Sequence, residues 1–206
     1  MDKEISENYE KYLQRINLFK GFGYDIAKER DLILEKSLPL NDRILEVGTG
    51  KGHFAIALAQ NGYHFTSVDI SQEEQKYAKM NVEYLGFQEN VDFRIADAQK
   101  LDFKDQSFDA IFAVNMVHHL SDPYKVMDEF ARVIAPKGKI IVSDFSKSGL
   151  DLVDKIHRSE GREHPTGKSA MDDIRNYFNG RNFKTQAYKT VFQETVFAYP
   201  LNAEKI

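Results

Sequence analysis

The sequence predicts an α/β fold with a doubly wound, mostly parallel seven-stranded sheet and helices on both of its faces. Strand-like and helix-like segments alternate between residues 43 and 145. The strand-like segments Ala110–Val114 and Lys139–Val142 are continuous rather than alternating, as parallel strands buried on both faces are. Further along, two segments alternate apolar and polar side chains, which predicts an antiparallel pair of strands at the C-terminal end.

The elements follow in order along the chain. Residues 5–37 mix charged and apolar side chains and predict two short helices that break near Gly21–Gly23. The predicted strands that follow are Arg43–Val47, His64–Ile70, Val91–Ala96, Phe108–Asn115 and Lys139–Phe145. The predicted helices between them are Gly52–Gln60, Ser71–Leu85 and one that begins at Asp122 and is ended by Pro136–Gly138.

Local signals define several of these ends. Ser71 and Glu74 occupy the two positions of a capping box, in which side chains satisfy free backbone N–H groups at a helix start. Gly62 and Gly86 follow predicted helix ends. After residue 146 the pattern loosens. There, residues 149–160 and 168–178 predict helices, and Phe183–Val191 and Glu194–Tyr199 predict the closing strands.

Composition excludes several classes of protein. The chain has 28 Lys and Arg residues against 32 Asp and Glu residues, and this formal charge of −4 argues against a general affinity for nucleic acid or an anionic membrane. The longest apolar run, Phe54–Ala59, is far shorter than a membrane span, and the N-terminal residues show no secretory signal. The absence of cysteine excludes disulfides, zinc–thiolate sites and cysteine nucleophiles, and it agrees with a cytoplasmic location.

A glycine-rich stretch, ILEVGTGKGHF at residues 44–54, lies between a predicted strand and a predicted helix. It is not a P-loop, because GxxxxGK[ST] does not match. His53 stands where the dinucleotide fingerprint GxGxxG has its third glycine. Gly48 and Gly50 permit backbone angles that other residues resist, and they let a ligand lie against the main chain.

Carboxylates stand at the ends of neighbouring predicted strands, where ligands bind in doubly wound sheets. Glu46, Asp69 and Asp97 lie at these ends, with Asp69 placed 21 residues after Gly48. A pyrophosphate site would favour positive potential, whereas three carboxylates suit a ligand with cationic and donor groups. S-adenosylmethionine fits, since it has an ammonium, a sulfonium, a ribose diol and an adenine amine but no phosphate.

In order and spacing, five segments resemble the motifs of class I S-adenosylmethionine-dependent methyltransferases, in particular the small-molecule and quinone-biosynthesis type. The segments are ILEVGTGKGHF, SVDIS (67–71), ADAQKLDF (96–103), FDAIFAVNMVHHL (108–120) and PKGKIIVSDF (136–145). The resemblance covers residues 40–145 and implies a Rossmann-like fold with S-adenosylmethionine as cofactor.

The resemblance implies cofactor-binding roles at Glu46, Gly48, Thr49, Gly50, Asp69, Ile70, Asp97, Ala98 and Asn115. Glu46 and the main chain of the glycine loop would hold the methionine part. Asp69 would accept hydrogen bonds from the ribose hydroxyls, and Ile70 would pack on the adenine. Asp97 would take the adenine amine, the Ala98 N–H would meet a ring nitrogen, and Asn115 would lie beside the methionyl amino group.

Structural explanations stand beside these roles. The structural alternative for Asp69 is a helix-capping or strand-end residue, and for Asp97 it is a turn residue. The motif context favours ligand contact for both. A structural explanation is harder for Glu46, because an unpaired buried carboxylate is costly. Asn115 could equally well terminate its strand. The departure from the pattern is Lys51, whose side chain we expect to point away from the sulfonium.

The candidate catalytic residues are His118 and His119, since a neutral imidazole can accept a proton from a nucleophile. The alternative is that one of them packs or caps the next helix. We place Tyr24, His157 and His164 on the substrate side, with packing in an apolar stripe as the alternative for Tyr24. His157, Glu160 and His164, within KIHRSEGREH (155–164), could line a substrate lid or bind a metal, with a solvated loop as the favoured alternative. Their spacing matches no strong metal template, so we expect no metal there.

We predict a single domain, 1–206, comprising an N-terminal helical cap (1–38), a cofactor-binding core (40–145) and substrate-side helices with closing strands (146–206).

The expected activity is methyl transfer from S-adenosylmethionine to a small-molecule acceptor by in-line displacement. The alternatives are an inactive protein that binds S-adenosylmethionine or S-adenosylhomocysteine, and a nicotinamide-linked dehydrogenase. No [DNS]-P-P-[YFW] run follows the fourth strand, which argues against methylation of nucleic-acid bases. We expect a monomer or a homodimer.

Overall fold

The structure, a computed structural model, describes residues 2–164 and 171–201, and the chain divides into two compact units, Met1–Ala98 and Gln99–Ile206. The first unit contains α1 (Lys3–Gly21), α2 (Ile26–Lys36), β1 (Ile44–Val47), α3 (His53–Gln60), β2 (Phe65–Asp69), α4 (Gln72–Tyr84) and β3 (Val91–Ile95). The second unit contains β4 (Phe108–Val114), α5 (Pro123–Val133), β5 (Ile134–Phe145), α6 (Lys147–Ser159), α7 (Met171–Asn179), β6 (Phe183–Lys189) and β7 (Gln193–Pro200). Short 3₁₀ turns cover Gln88–Asn90 and Val117–His119.

Among the described residues, seven strands form a sheet in the order β3-β2-β1-β4-β5-β7-β6. Within the first unit, β2 pairs in parallel with both β1 and β3. Within the second, β4 and β5 are parallel, whereas β7 runs antiparallel to both β5 and β6. The predicted α/β fold, mostly parallel with an antiparallel C-terminal pair, is confirmed.

Burial explains the elements of the first unit. The helix α3 is buried from Phe54 to Ala59, because it is apolar on nearly all sides. The predicted break between the two N-terminal helices lies between α1 and α2. There the side chain of Asp25 accepts a hydrogen bond from the Lys28 N–H, 3.2 Å away, and starts α2.

One predicted boundary in the second unit is wrong. We expected Pro136–Gly138 to form the stop after the helix and the strand to start at Lys139, but β5 already begins at Ile134. Ile134 and Ala135 are buried, and Ile134 pairs with Phe108 across a register shift. A proline and a glycine are tolerated in a strand at such an irregularity, so tertiary burial outweighs the local turn signal.

The C-terminal elements agree with the expected pattern. The helix α6 begins at Lys147, two residues before the predicted 149, with Ser146 as its N-cap. The predicted helix 168–178 begins outside the described residues, and its described part is α7. The strands β6 and β7 form the predicted antiparallel pair. Among the described residues, no helix combines the length and the apolar character needed to cross a membrane.

Candidate functional site

The glycine loop that follows β1 is half-buried at Gly48 and Gly50, where no side chain covers the backbone. Gly48 and Gly50 have φ angles of 82° and 50°, in the left-handed region that favours glycine. The N–H groups of Gly48 and Thr49 donate to the Val68 carbonyl at 2.9 and 3.3 Å, which fixes the loop to β2. A Cβ atom added to Gly50 would meet nothing within 4 Å, so the backbone there faces open space.

Asp69, the last residue of β2, connects this loop to the start of α4. One oxygen of its carboxylate accepts the Gly50 N–H at 2.7 Å, and the other accepts the Ser71 N–H at 2.8 Å. Each carboxylate oxygen can accept a further hydrogen bond. The carboxylate is therefore held in a fixed position and retains acceptor capacity for a ligand.

Exposed apolar side chains lie at the ends of β2 and β3. Ile70, directly after Asp69, is 69% exposed, and Ile95 is 52% exposed. Asp69 and Ile95 are partners in the β2–β3 register. Two isoleucines exposed beside a fixed carboxylate offer an apolar surface that a flat aromatic ring could cover.

Glu46 lies inside the first unit and is 2% exposed. The Ser67 hydroxyl donates to its carboxylate at 2.6 Å, and the Thr49 and Ser67 hydroxyl oxygens lie 2.6 Å apart. Burial raises the pKa of Glu46 to about 7, and the nearby negative charge of Asp69 acts in the same direction, whereas the Ser67 hydrogen bond lowers it. The side chain therefore titrates near neutral pH in the absence of a cation.

The segment after β3 lies against the end of β2. The Ala96 N–H donates to the Asp69 carbonyl at 3.0 Å, and the exposed Asp97 and half-buried Ala98 follow directly. The structure thus links eight of the predicted cofactor-binding residues within the first unit, namely Glu46, Gly48, Thr49, Gly50, Asp69, Ile70, Asp97 and Ala98.

These residues fit S-adenosylmethionine by their chemistry. Carboxylates with acceptor capacity suit ribose hydroxyls and cationic groups, the exposed isoleucines suit an adenine face, and the bare backbone at Gly50 admits close approach. Lys51 is exposed as expected, with its ammonium 5.9 Å from the Tyr77 ring centroid.

In the second unit, Asn115 ends β4 in a left-handed conformation with φ of 56°. Its N–H donates to the Ser143 carbonyl at 2.8 Å, and its side-chain oxygen accepts from the Gln193 amide at 2.8 Å. This geometry agrees with the structural explanation, in which Asn115 terminates the strand. Its contact with a methionyl amino group stays a prediction.

The two candidate catalytic histidines lie in the turn Val117–His119. His118 is 5% exposed, and its Nδ1 atom lies 2.6 Å from one oxygen of Asp144. The other oxygen of Asp144 accepts the His118 N–H at 2.8 Å. His119 is exposed. The sequence analysis missed Asp144, although the strand-end position that singled out Asp69 applies to it as well.

Two of the predicted substrate-side residues lie near this turn. The ring centroid of His164 is 5.2 Å from that of His118 and 4.8 Å from that of His157. The Nδ1 atom of His164 lies 2.9 Å from the Asp154 carboxylate.

Tyr24 lies apart from these histidines, inside the first unit. It is 1% exposed, and its hydroxyl accepts a hydrogen bond from Arg30 at 3.3 Å. Its ring packs on Phe19 with 5.9 Å between the centroids. This environment favours the packing alternative for Tyr24, and a substrate contact stays a prediction.

Comparison with known proteins shows the class to which this fold and site correspond. Residues 45–142 match the family model described as a methyltransferase domain. This match, over slightly less than half of the chain, agrees with the resemblance of the sequence motifs to S-adenosylmethionine-dependent methyltransferases.

Two curated relatives are similar to this chain. The 27-O-demethylrifamycin SV methyltransferase of Amycolatopsis mediterranei is 29% identical over 175 residues, which cover 82% of this chain and 64% of the relative. The ubiquinone biosynthesis O-methyltransferase of Xylella fastidiosa is 34% identical over 117 residues, covering 56% of this chain and 47% of the relative. The chain thus spans less than two thirds of either relative's length.

A solved structure, described as a SAM-dependent methyltransferase from Aquifex aeolicus, has the same fold with a TM-score of 0.64. It is 21% identical, and the match covers 82% of this chain and 88% of that one. The cofactor named for that protein is the one that the sequence predicts here.

Proposed function

We propose that the protein is an S-adenosylmethionine-dependent methyltransferase that acts on a small-molecule acceptor. The observation that carries the proposal is the pair of hydrogen bonds that the Asp69 carboxylate accepts from the Gly50 and Ser71 N–H groups. It fixes an acceptor carboxylate between bare backbone on one side and the exposed Ile70 on the other.

Different residues of the first unit bind different parts of the cofactor. Asp69 accepts from the ribose hydroxyls, and Ile70 covers one face of the adenine. Asp97 accepts from the adenine amine, while the Ala98 N–H donates to a ring nitrogen. Glu46 and the loop Gly48–Gly50 hold the methionine end, where an ionised Glu46 attracts a cation. For Asn115, which belongs to the second unit, the place beside the methionyl amino group is what the resemblance implies.

When bound, S-adenosylmethionine supplies a methyl group on a sulfonium that is already an activated leaving group. The protein's own task is therefore to orient the acceptor and to exclude water. A base is needed only for an acceptor that must lose a proton. His118 and His119 are the candidates for that role, and Asp144 fixes the His118 ring through Nδ1.

The proposed acceptor is a small molecule. The relatives from Amycolatopsis and Xylella are named for a rifamycin and for ubiquinone biosynthesis, which supports this class. The net charge of −4 is also unfavourable for a nucleic-acid substrate. The absence of cysteine supports a cytoplasmic location, and a monomeric or homodimeric state stays a prediction.

Thermal shift measurements test the proposal. S-adenosylhomocysteine should raise the melting temperature, because a ligand that binds the folded state stabilises it, whereas NAD should leave it unchanged. Stabilisation by NAD alone would favour a dehydrogenase. Stabilisation by S-adenosylhomocysteine without methyl transfer to any of a broad panel of phenols, amines, thiols and carbon acids would favour the inactive binding protein.

A further inference from the structure

Three histidines from separate parts of the second unit lie together. His118 and His119 come from the turn after β4, and His164 follows α6. One ligand nitrogen from each can be chosen so that all three lie within 4.8 Å of one another. The ring centroids are 3.9 Å apart for His118 and His119, and 5.4 Å apart for His119 and His164. We call these three residues the histidine cluster.

Two of the three rings are oriented by carboxylates. The Nδ1 atoms of His118 and His164 lie 2.6 and 2.9 Å from Asp144 and Asp154. A carboxylate accepts, so each Nδ1 carries the proton and each Nε2 presents its lone pair. Histidines that bind metals characteristically donate their second ring N–H to a carboxylate in this way. Both imidazoles are 6% exposed, so these orientations are held by packing as well.

Packing alone does not account for this arrangement. The buried Asp144 carboxylate, 4% exposed, is already compensated, because it accepts the N–H groups of His118 and Phe145 and faces the His118 ring. The cost lies in the rings: neutral imidazoles that bring lone pairs together repel one another, and protonated imidazoles repel more strongly. A cation between the three nitrogens removes this repulsion.

We propose that the histidine cluster binds one divalent transition metal ion, with Zn²⁺ as the best match. Imidazole nitrogen suits zinc, copper, iron and nickel, whereas magnesium and calcium prefer oxygen ligands. Zinc binds imidazole at about 2.0–2.1 Å with tetrahedral geometry, which places ligand nitrogens about 3.3 Å apart. The nitrogens must approach by up to about an ångström and a half on binding. His119 is exposed and lies in a short turn, so it can move toward the two oriented rings.

The composition of the cluster also indicates the kind of site. Zinc sites with three protein ligands keep the fourth position open, whereas structural sites are closed by four. Three neutral imidazoles leave the full charge of the ion at the open position, which binds water or an ionised oxygen of a ligand. From the sequence alone we expected no metal, because the spacing of His157 and His164 matches no strong metal template. His118 and His119 lie more than 40 residues before His164, and only the fold brings the three together.

Calorimetric titration with ZnCl₂ tests the proposal on the full, tag-free chain after treatment with a chelator. The wild-type protein should bind one Zn²⁺ per chain. The variants His119→Gln and His164→Gln should each bind at least 100-fold more weakly. His64→Gln, which changes an exposed histidine of the first unit, is the matched control and should bind as the wild type does. None of these readouts depends on methyl transfer.

A further variant tests the orientation of a ligand without removing any ligand. Asp154→Asn leaves the three ligands in place but removes the carboxylate that orients His164, and it should weaken binding about 10–100-fold. Replacing Zn²⁺ by Co²⁺ should give the visible absorption of a four-coordinate ion in the wild type, and this signal should be lost in His119→Gln. The proposal is overturned if the wild type binds no stoichiometric Zn²⁺, or if His119→Gln and His164→Gln bind it as tightly as His64→Gln does.

Discussion

At the residue scale, Glu46 and Asp69 are both acidic, but their surroundings give them different properties. Asp69 is partly exposed and accepts two backbone N–H groups. Glu46 is buried and depends on the Ser67 hydroxyl. The first arrangement stabilises a fixed anion, and the second raises the cost of ionisation until a cation is present.

The pKa of Glu46 predicts a pH dependence of stability. The folded-state pKa of about 7 lies above the ordinary value of 4.5, so the folded state binds the proton more tightly than the unfolded state does. Its contribution is fully present below about pH 4.5 and is lost as the pH rises through 7. The loss amounts to about 1–3 kcal/mol, since one pKa unit is equivalent to about 1.4 kcal/mol.

Glu46→Gln, which cannot ionise, should therefore gain stability relative to the wild type between pH 5 and pH 8, by about 1–3 kcal/mol. Urea unfolding at both pH values measures this difference. The readout is how the difference in free energy of unfolding between the variant and the wild type changes with pH. Any pH-independent effect of the amide on stability cancels in this change. Glu89→Gln changes an exposed carboxylate and should track the wild type. Parallel curves for Glu46→Gln and the wild type would show that Glu46 is ionised throughout.

The candidate cofactor-binding residues could be singled out from the sequence because their signals are local. Gly48, Gly50 and Asp69 stand at strand ends in a recognisable order, and in the structure the Gly50 N–H donates to the Asp69 carboxylate. Their binding of the cofactor stays a prediction. The partners of the histidines were not predicted. Asp144 lies 26 residues from His118, and Asp154 lies 10 residues from His164. Such pairs depend on how elements pack, which a single sequence does not encode by spacing.

At the scale of elements, the start of α4 differs from a standard capping box in the residue that accepts the N-cap N–H. The Ser71 hydroxyl accepts the Glu74 N–H at 3.2 Å, as the sequence predicted. The reciprocal bond to the Ser71 N–H comes from Asp69 rather than from Glu74, whose side chain occupies that role in the standard motif. The start of α4 and the position of the Asp69 carboxylate are thus coupled.

Ser71→Ala should lower the free energy of unfolding by about 1 kcal/mol, because the Glu74 N–H loses its acceptor. Ser71→Gly should cost only a few tenths of a kcal/mol, since glycine is itself tolerated at the N-cap. Urea denaturation of the two variants compares them directly. Equal stability of Ser71→Ala and the wild type would mean that the cap contributes nothing.

At Gly149, in α6, helix propensity and packing have opposite effects on the stability of an alanine variant. By propensity alone, an alanine in a helix is about 1 kcal/mol more favourable than glycine. However, a Cβ atom at residue 149 would clash with the Phe192 carbonyl oxygen. Gly149→Ala should therefore destabilise the protein by about 1–3 kcal/mol through overpacking.

Gly21→Ala is the matched control for this prediction. Gly21 ends α1, and an added Cβ atom would meet nothing within 4 Å. This variant should be neutral or up to about 1 kcal/mol more stable. Thermal unfolding of both variants decides the matter, and a Gly149→Ala protein as stable as Gly21→Ala would contradict the close contact.

At the scale of the whole molecule, the alternation of strands and helices was sufficient to predict the fold class. Continuous apolar strands such as β4 require burial on both faces, and the alternating C-terminal segments require an antiparallel arrangement. The extent of β5 was not predictable in the same way. Its first residues carry turn signals, and only pairing with β4 makes them a strand.

The central claim is that Asp69, fixed between the glycine loop and α4, binds the ribose of S-adenosylmethionine. Isothermal titration with S-adenosylhomocysteine tests it on the wild type, on Asp69→Ala and on Asp92→Ala, which removes an exposed carboxylate from β3. Hydrogen bonds to a charged acceptor contribute about 1.5–3 kcal/mol. Asp69→Ala should therefore bind about 10–100-fold more weakly, while Asp92→Ala binds like the wild type. Equal affinity of Asp69→Ala and the wild type, or binding by neither, would contradict the account.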